Sequence, residues 1–363
     1  MESILLKGIK QCKPAKKESQ ESSYKIIGTQ LKLLTSFDSL FLKNHPTIKT
    51  PFLVQQLAIP YFFNNISVIV NSFTGSGKTI AFLVPLIEIS KKRNIKPVII
   101  APTCMLVAQI KHNIEILTDI RFDVLLPEEY TPGNETHLVI DEADSVLENM
   151  PDICDQFKGE HLSLFSATIN KKIEDLFISR KLTKIFVQTS QKINHKFVFG
   201  IEGDLKASTL VQCIDDGIEA PCLIFVNDQK EASKLEKLIA NSKMCGYDES
   251  YEHIQHSINE FRLKKIWYLI VPDIFSRGMD FKNIKSVINY DFPTRKTNFV
   301  HRIGRVNRNV NNQQIITIFT KRDFKRLRVV ASVLKEMRCE IPQNIINIMK
   351  NVKNNKKIKL NAK

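Results

Sequence analysis

The sequence predicts an α/β protein built from two tandem units, each a parallel sheet flanked by helices. Three observations predict it. Short β-branched runs recur along the 363 residues, too continuously apolar for half-exposed strands and too short for helices, as strands buried on both faces are. Helix-length segments separate most of these runs, as crossovers between parallel strands require. The runs also fall into two series with a break between about 190 and 215, and the length is enough for two cores.

In chain order, residues 1–29 read as a basic polar leader and 30–190 as the first unit. SVIVN (67–71) reads as a strand, followed by a Gly-rich turn and an apolar helix around 78–90. KPVIIAPT (96–103), HLVIDEA (137–143) and HLSLFSAT (161–168) are further buried-strand runs. Residues 191–214 read as a linker region. The second unit, 215–350, opens on APCLIFVN and continues through IWYLIVPD, KSVINYD and QQIITIFT. Residues 351–363 read as a solvated basic Asn/Lys tail.

Composition narrows the partners. Fifty-three Lys and Arg against 38 Asp and Glu give a formal charge of +15, a bias that draws polyanions, nucleic acid first among them. Compositional drift toward Lys, Asn and Ile accounts for the same number equally well, so charge alone names no ligand. No apolar run is long enough to span a membrane, and the opening residues lack the apolar core of a signal peptide. The seven scattered cysteines contain no CxxC pair, which argues against a zinc site or disulfide framework and for a reducing compartment.

SFTGSGKT (72–79) follows the first strand directly. Gly75 and Gly77 allow a tight backbone path that turns amide N–H groups toward phosphate oxygens, and the next helix adds its positive end. Thr74 and Ser76 complete the turn, Lys78 can reach the β- and γ-phosphates of ATP, and Thr79 offers a hydroxyl to Mg2+. VIDEAD (139–144) supplies the metal half: Asp141 at a strand's end suits Mg2+, partly through water, and Glu142 can polarise the attacking water. HRIGRVNR (301–308) places Arg305 and Arg308 three residues apart, cations suited to charge developing on a transferring phosphoryl group.

TGSGKT, DEAD, SAT (166–168), RGMD (277–280) and HRIGR, in this order, resemble the DEAD-box ATP-dependent RNA helicases, as a reduced and divergent member over about residues 37–320. The resemblance implies two RecA-like domains closing over ATP and single-stranded or locally unwound RNA, with RNA-stimulated ATP hydrolysis coupled to local unwinding. It implies that Gln55 reads adenine and Phe37 stacks on it. Asp144, Ser166, Thr168 and His301 would couple the two domains, and Asp280 would face the ribose. Pro102, Thr103, Arg277 and Gly278 would meet the RNA backbone.

Several positions depart from the family pattern. Cys104 and Asn134 stand where arginines are expected, Pro272 replaces a phosphate-binding threonine, and the Gln-x-x-Arg segment is replaced around Tyr251 and Ile254. TPGN (131–134) matches a family segment but sits close to Asp141; RFDVLLPEE (121–129) is the alternative match. The ATP-closing parts therefore survive better than the RNA-gripping parts. That keeps open a second reading, a nucleotide-gated RNA clamp with little unwinding. A monomer with room for protein cofactors, in the nucleus or cytoplasm and off the membrane, is the expected setting.

Overall fold

The computed structural model describes residues 24–37, 48, 50–93, 95–187, 194–276, 281, 284–306, 313–337 and 339–361. The chain divides into two units, Met1–Thr189 and Ser190–Lys363. The first contains β1 (Tyr24–Ile27), β2 (Val68–Ser72), β3 (Pro97–Ile100), β4 (Asp123–Leu125), β5 (His137–Asp141), β6 (His161–Ser166) and β7 (Thr183–Val187), in the sheet order β1-β7-β2-β6-β5-β3-β4. β1 runs antiparallel to β7, and every other pairing in this sheet is parallel.

The period of two in the strands decides which helices cover which face. Val68, Val70, Ile99, Val139 and Phe165 point into one core with residues of the helices Leu53–Phe63, Lys78–Lys92 and Cys104–Leu117. Ile69, Ile100, Leu138, Ile140 and Leu164 point the other way, into a core with Val146 and Ile173 of the helices Ala143–Asn149 and Lys171–Ser179. Each fully buried aliphatic side chain contributes about 1.5–3 kcal/mol, so a strand apolar on both faces stabilises both layers.

The second unit holds β8 (Asn194–Phe199), β9 (Cys222–Phe225), β10 (Ser242–Met244), β11 (Tyr268–Val271), β12 (Ser286–Asn289) and β13 (Gln314–Phe319), in the order β10-β11-β9-β12-β13-β8. All its pairings are parallel. Ile224, Ile270, Ile288 and Ile318 share a core with Leu210 and Leu235 of the helices Asp204–Asp215 and Gln229–Leu238.

Three expected segments carry more structure than the sequence reading gives them. β1 lies inside the expected leader and pairs with β7 from Tyr24 opposite Val187 to Ile27 opposite Lys184. β8 and most of the helix Asp204–Asp215 lie inside the expected linker, yet β8 pairs with β13 along its whole length and Leu210 is fully buried. Both strands are sheet edges, so their side chains are only partly buried and the apolar signal is diluted. The helix Gln343–Asn361 also runs through most of the expected tail.

Candidate active site

β2, β6, β5 and β3 are adjacent and parallel, so their carboxyl ends share one edge of the sheet, where open α/β sheets hold their ligands. The register is tight: Phe165 of β6 stands opposite both Val70 of β2 and Asp141 of β5. The loop after β2 and the acids after β5 therefore flank the same point of β6, whose own end carries Ser166.

The loop from Phe73 to Gly77 has left-handed backbone at Gly75 (φ +76°) and Gly77 (φ +94°). At Gly77 space as well as φ demands glycine, because a Cβ would lie 2.5 Å from Gln55 Nε2. Lys78 opens the following helix, and its Nζ donates to the carbonyls of Ser72 and Phe73 at 2.9 Å each. Thr79, one residue on, is half-buried. The Ser72, Thr74 and Ser76 hydroxyls and Glu142 Oε2 are buried without a hydrogen-bond partner among the described residues. Each such atom costs about 1–3 kcal/mol, and a ligand rich in oxygens with bound water satisfies them together. The cradle fits a polyphosphate with its hydrated cation.

Asp141 is 4% exposed. Burial pushes its carboxyl up to about 7, Lys78 opposes the shift, and Glu142 and Asp144 reinforce it. Glu142 sits at φ 48°, left-handed for a non-glycine residue, and its N–H donates to Asp141 Oδ1 at 2.9 Å. Asp144, two residues on, points instead at the end of β6. Thr168 Oγ1 donates to its Oδ2 at 2.7 Å, and Ser166 Oγ lies 2.7 Å from both its Oδ1 and the Thr168 carbonyl, one proton between two acceptors. The structure thus brings together Asp144, Ser166 and Thr168. It adds Asn170, missed in the sequence, whose amide donates to the Asp144 carbonyl at 3.0 Å while its oxygen caps the helix Lys171–Ser179. Its signal was available, an Asn directly before a helix.

The two residues expected at the base have different surroundings. Gln55 is buried, with Nε2 donating to the Gly77 carbonyl at 3.2 Å and Oε1 accepting from Phe52 N–H at 2.8 Å. One donor and one lone pair remain for a base, but the amide's first role is to tie the helix Leu53–Phe63 to the phosphate loop. Phe37, expected to stack on the base, is 1% exposed and packed with Ile48, Ile59 and Val84. Its ring completes an apolar cluster on the helix Lys78–Lys92.

On the expected RNA side, Pro102 and Thr103 follow β3 at the same edge, both half-buried. Thr103 Oγ1 accepts from Leu106 N–H at 3.2 Å as the cap of the helix Cys104–Leu117, leaving its proton for an acceptor. Cys104 is exposed beside it. β4 falls within RFDVLLPEE, and residues 131–134 are exposed and form no strand.

In the second unit His301 and Arg302 are fully buried in the helix Lys296–Ile303. Arg302 Nε donates to Asp273 Oδ1 at 2.5 Å and its Nη1 to the Asp291 carbonyl at 2.6 Å and Asn289 Oδ1 at 3.3 Å. Its guanidinium carbon stands 5.1 Å from the Phe225 ring centre. Asn289 Nδ2 donates in turn to Thr317 Oγ1 at 3.0 Å, and His195 Nε2 lies 2.9 Å from the same hydroxyl. The sequence reading missed this network: Asp273 belongs to a different motif from Arg302, and nothing local marks them as partners. Arg305 is half-buried, its Nε donating to the His301 carbonyl at 3.4 Å. Arg277, Gly278, Asp280 and Arg308 lie outside the described residues.

Comparison with known proteins places this geometry. The DEAD/DEAH box helicase family model matches residues 52–134, and the helicase conserved C-terminal domain matches 205–310. DEAD-box ATP-dependent RNA helicase 57 of Oryza sativa subsp. japonica is 31% identical over 80% of this chain and 63% of its own length. ATP-dependent RNA helicase ROK1 of Eremothecium gossypii is 29% identical over 93% and 70%. The chain thus spans about two-thirds of the length of these relatives. Among solved structures, Saccharomyces cerevisiae Dbp5 bound to RNA and ADP BeF3 shares the fold, with a TM-score of 0.69, 20% identity and coverage of 88% of this chain and 99% of that one. Among the described residues no helix is long and apolar enough to cross a membrane. Phosphate loop, acidic strand end, coupled serine and threonine, and the two family matches agree: the chain belongs to the DEAD-box family of RNA helicases.

Proposed function

We propose that the chain is an RNA-stimulated ATPase that remodels RNA by closing its two units over ATP and a single strand. The observation that carries this reading is the cradle of unpartnered hydroxyls around Lys78, set against Asp141 and Glu142 on one sheet edge. Lys78 exchanges its two carbonyl contacts for phosphate oxygens, and the loop N–H groups hold the β-phosphate. Thr79 and Asp141 would hold Mg2+, partly through water; among the described residues no group of three acids, histidines or cysteines could hold a metal, and the nucleotide's phosphates would supply further oxygens. The ion supplies neutralisation of phosphate charge. Glu142, its Oε2 unpartnered, aligns the attacking water, while Arg305 and Arg308 stabilise the charge that develops on the transferred group. Asp144, Ser166 and Thr168, with His301, carry closure between the units, and Asp280 meets the ribose. Pro102, Thr103, Arg277 and Gly278 contact the RNA backbone, which gives affinity without base readout.

The test is steady-state ATP hydrolysis with and without single-stranded RNA, alongside Lys78→Ala. RNA stimulation that disappears in the variant supports the reading; turnover indifferent to both overturns it. A second reading, an RNA clamp gated by nucleotide, is favoured by Cys104, Asn134 and Pro272 in place of backbone-binding groups. Duplex unwinding measured beside ATPase turnover separates the two. We further propose a monomer that works with protein cofactors in a reducing compartment, nucleus or cytoplasm.

A further inference from the structure

β8 is an edge strand of the second sheet, and its last residue, Phe199, is 47% exposed. The ring is nonetheless held. Its centre lies 5.4 Å from that of Phe319 and 6.2 Å from that of Phe324, and Gly200 N–H donates to the Phe319 carbonyl at 2.9 Å. Phe199 therefore rests on the end of β13 and stays half open to solvent.

The chain leaving β13 brings cations to the same place. Lys321, Arg322, Lys325, Arg326 and Arg328 fall within eight residues, and all five are exposed. Phe324, in their midst, is one of the rings that hold Phe199. Two nearby acids answer them only in part. Glu202 pairs with Arg322 at 2.8 Å. Asp323 uses Oδ2 to accept from the Thr320 N–H and hydroxyl at 2.9 and 3.0 Å, and its Oδ1 stands 3.9 Å from Arg326. The helix Leu327–Glu336 has no acid in its first turn, so its positive end adds to theirs.

A half-open ring among poorly matched cations is the pairing that grips a single nucleic-acid strand, rings stacking on bases of any sequence while cations follow the phosphates. The ring decides between polyanions. An acidic protein segment answers the charge, whereas a nucleic acid brings charge and a flat stacking face together at every unit. Both segments lie outside the motifs that led to the helicase reading. RGMD (277–280) follows β11, which is four strands from β8 in the sheet order, about 19 Å at 4.8 Å per strand.

We propose that Phe199 and the cations of residues 321–328 form an accessory contact for single-stranded RNA on the outer edge of the second unit. Both segments belong to one unit, so the contact needs neither closure nor nucleotide. It keeps RNA tethered when the motif-borne contacts let go, and it offsets the arginines missing at Cys104 and Asn134. This inference rests on the RNA reading of the chain, and its test separates the two.

Equilibrium binding of a labelled oligouridylate to the full chain is measured across a salt series, without nucleotide and with ATP. Phe199→Leu keeps apolar bulk against Phe319 but loses the flat face, and is expected to weaken nucleotide-free binding about tenfold with the salt slope unchanged. Phe199→Tyr is expected to keep the parent affinity. Lys321→Gln with Lys325→Gln is expected to lower the slope of log affinity against log salt by about 1.4, at about 0.7 per phosphate contact. Lys96→Gln with Lys158→Gln, exposed lysines near the amino ends of β3 and β6, removes the same charge elsewhere and should leave the slope as it was. All four proteins are expected to keep the parent melting temperature and RNA-free ATP hydrolysis. Parent behaviour in either Phe199→Leu or the Lys321/Lys325 variant overturns the proposal, and so does an equal slope loss in the Lys96/Lys158 variant. Polyglutamate binding that is lost in the variants while RNA binding is kept gives the surface to an acidic protein partner and overturns it too. A parent that binds RNA only with ATP overturns this contact and leaves the RNA reading standing; a parent that binds no RNA in either condition overturns both.

Discussion

The two units handle buried charge in opposite ways. In the second, Arg302 is fully buried but meets a carboxylate, a carbonyl, an amide oxygen and an aromatic face. In the first, Asp141 is buried with its carboxyl pushed up to about 7 by desolvation, and hydroxyls around it lack partners. The second unit meets most of its cation's hydrogen-bonding capacity internally, with Nη2 left without a partner among the described residues, and so fixes the helix that precedes Arg305. The first unit leaves groups unsatisfied until a ligand arrives. A buried charge that faces an opposite charge is scaffolding; buried hydroxyls left open beside a phosphate loop are a site.

The largest effect expected from this contrast is on Arg302→Ala. Removing the fully buried member of this ion pair, while Asp273 keeps its bond from Asn298 Nδ2, costs about 3 kcal/mol, so the second unit's melting transition should fall by several degrees. Lys78→Ala should cost less, about 1–3 kcal/mol as the Ser72 and Phe73 carbonyls lose their shared donor, while ATP turnover is lost. Equal melting losses in the two variants would break the comparison.

Acid should act on both units through buried histidines. Burial holds His161 in the first unit and His195 in the second at about 3, with His137 adding to the shift at His161. Their folded values lie below the ordinary 6.5, so the stability they contribute is present above pH 6.5 and lost as pH falls toward 3. At pH 5 the loss is about 2 kcal/mol per histidine. Denaturant unfolding at pH 7 and pH 5 measures it, and His161→Gln should flatten the slope for the first unit only. An unaltered slope would show that His161 titrates normally.

Smaller effects sharpen the coupling cluster. Asp144→Asn keeps the shape but turns one acceptor into a donor facing Ser166 and Thr168, so about 1–3 kcal/mol of stability is expected to go, with RNA stimulation falling more than basal turnover. Asn170→Ala removes a helix cap and is expected to cost about 1 kcal/mol, read by melting, with turnover nearly intact.

Local chemistry explains what could be read in advance. The strand, glycine turn and lysine at 68–79 declare themselves because phosphate binding is a backbone geometry that few residues allow. Asp141 and Asp144 were separable by spacing alone, one at the strand end and one on the next turn. Arg302 was not, since its fate depends on Asp273, 29 positions earlier. Phe37 was assigned by analogy to a position whose burial depends on packing with Ile48, Ile59 and Val84. β1 and β8 were missed because edge strands need not be apolar.

The clasp of Lys78 on the Ser72 and Phe73 carbonyls has a kinetic consequence. Its ammonium gives up two good hydrogen bonds whenever it turns to phosphate, so each round of binding is an exchange rather than a gain. The loop keeps its shape between nucleotides, yet no nucleotide is held as tightly as the charge alone would allow. Affinity lost in this way appears mainly as faster departure. The loop's own carbonyls thus compete with phosphate for the lysine, and product is expected to leave faster than it would without them.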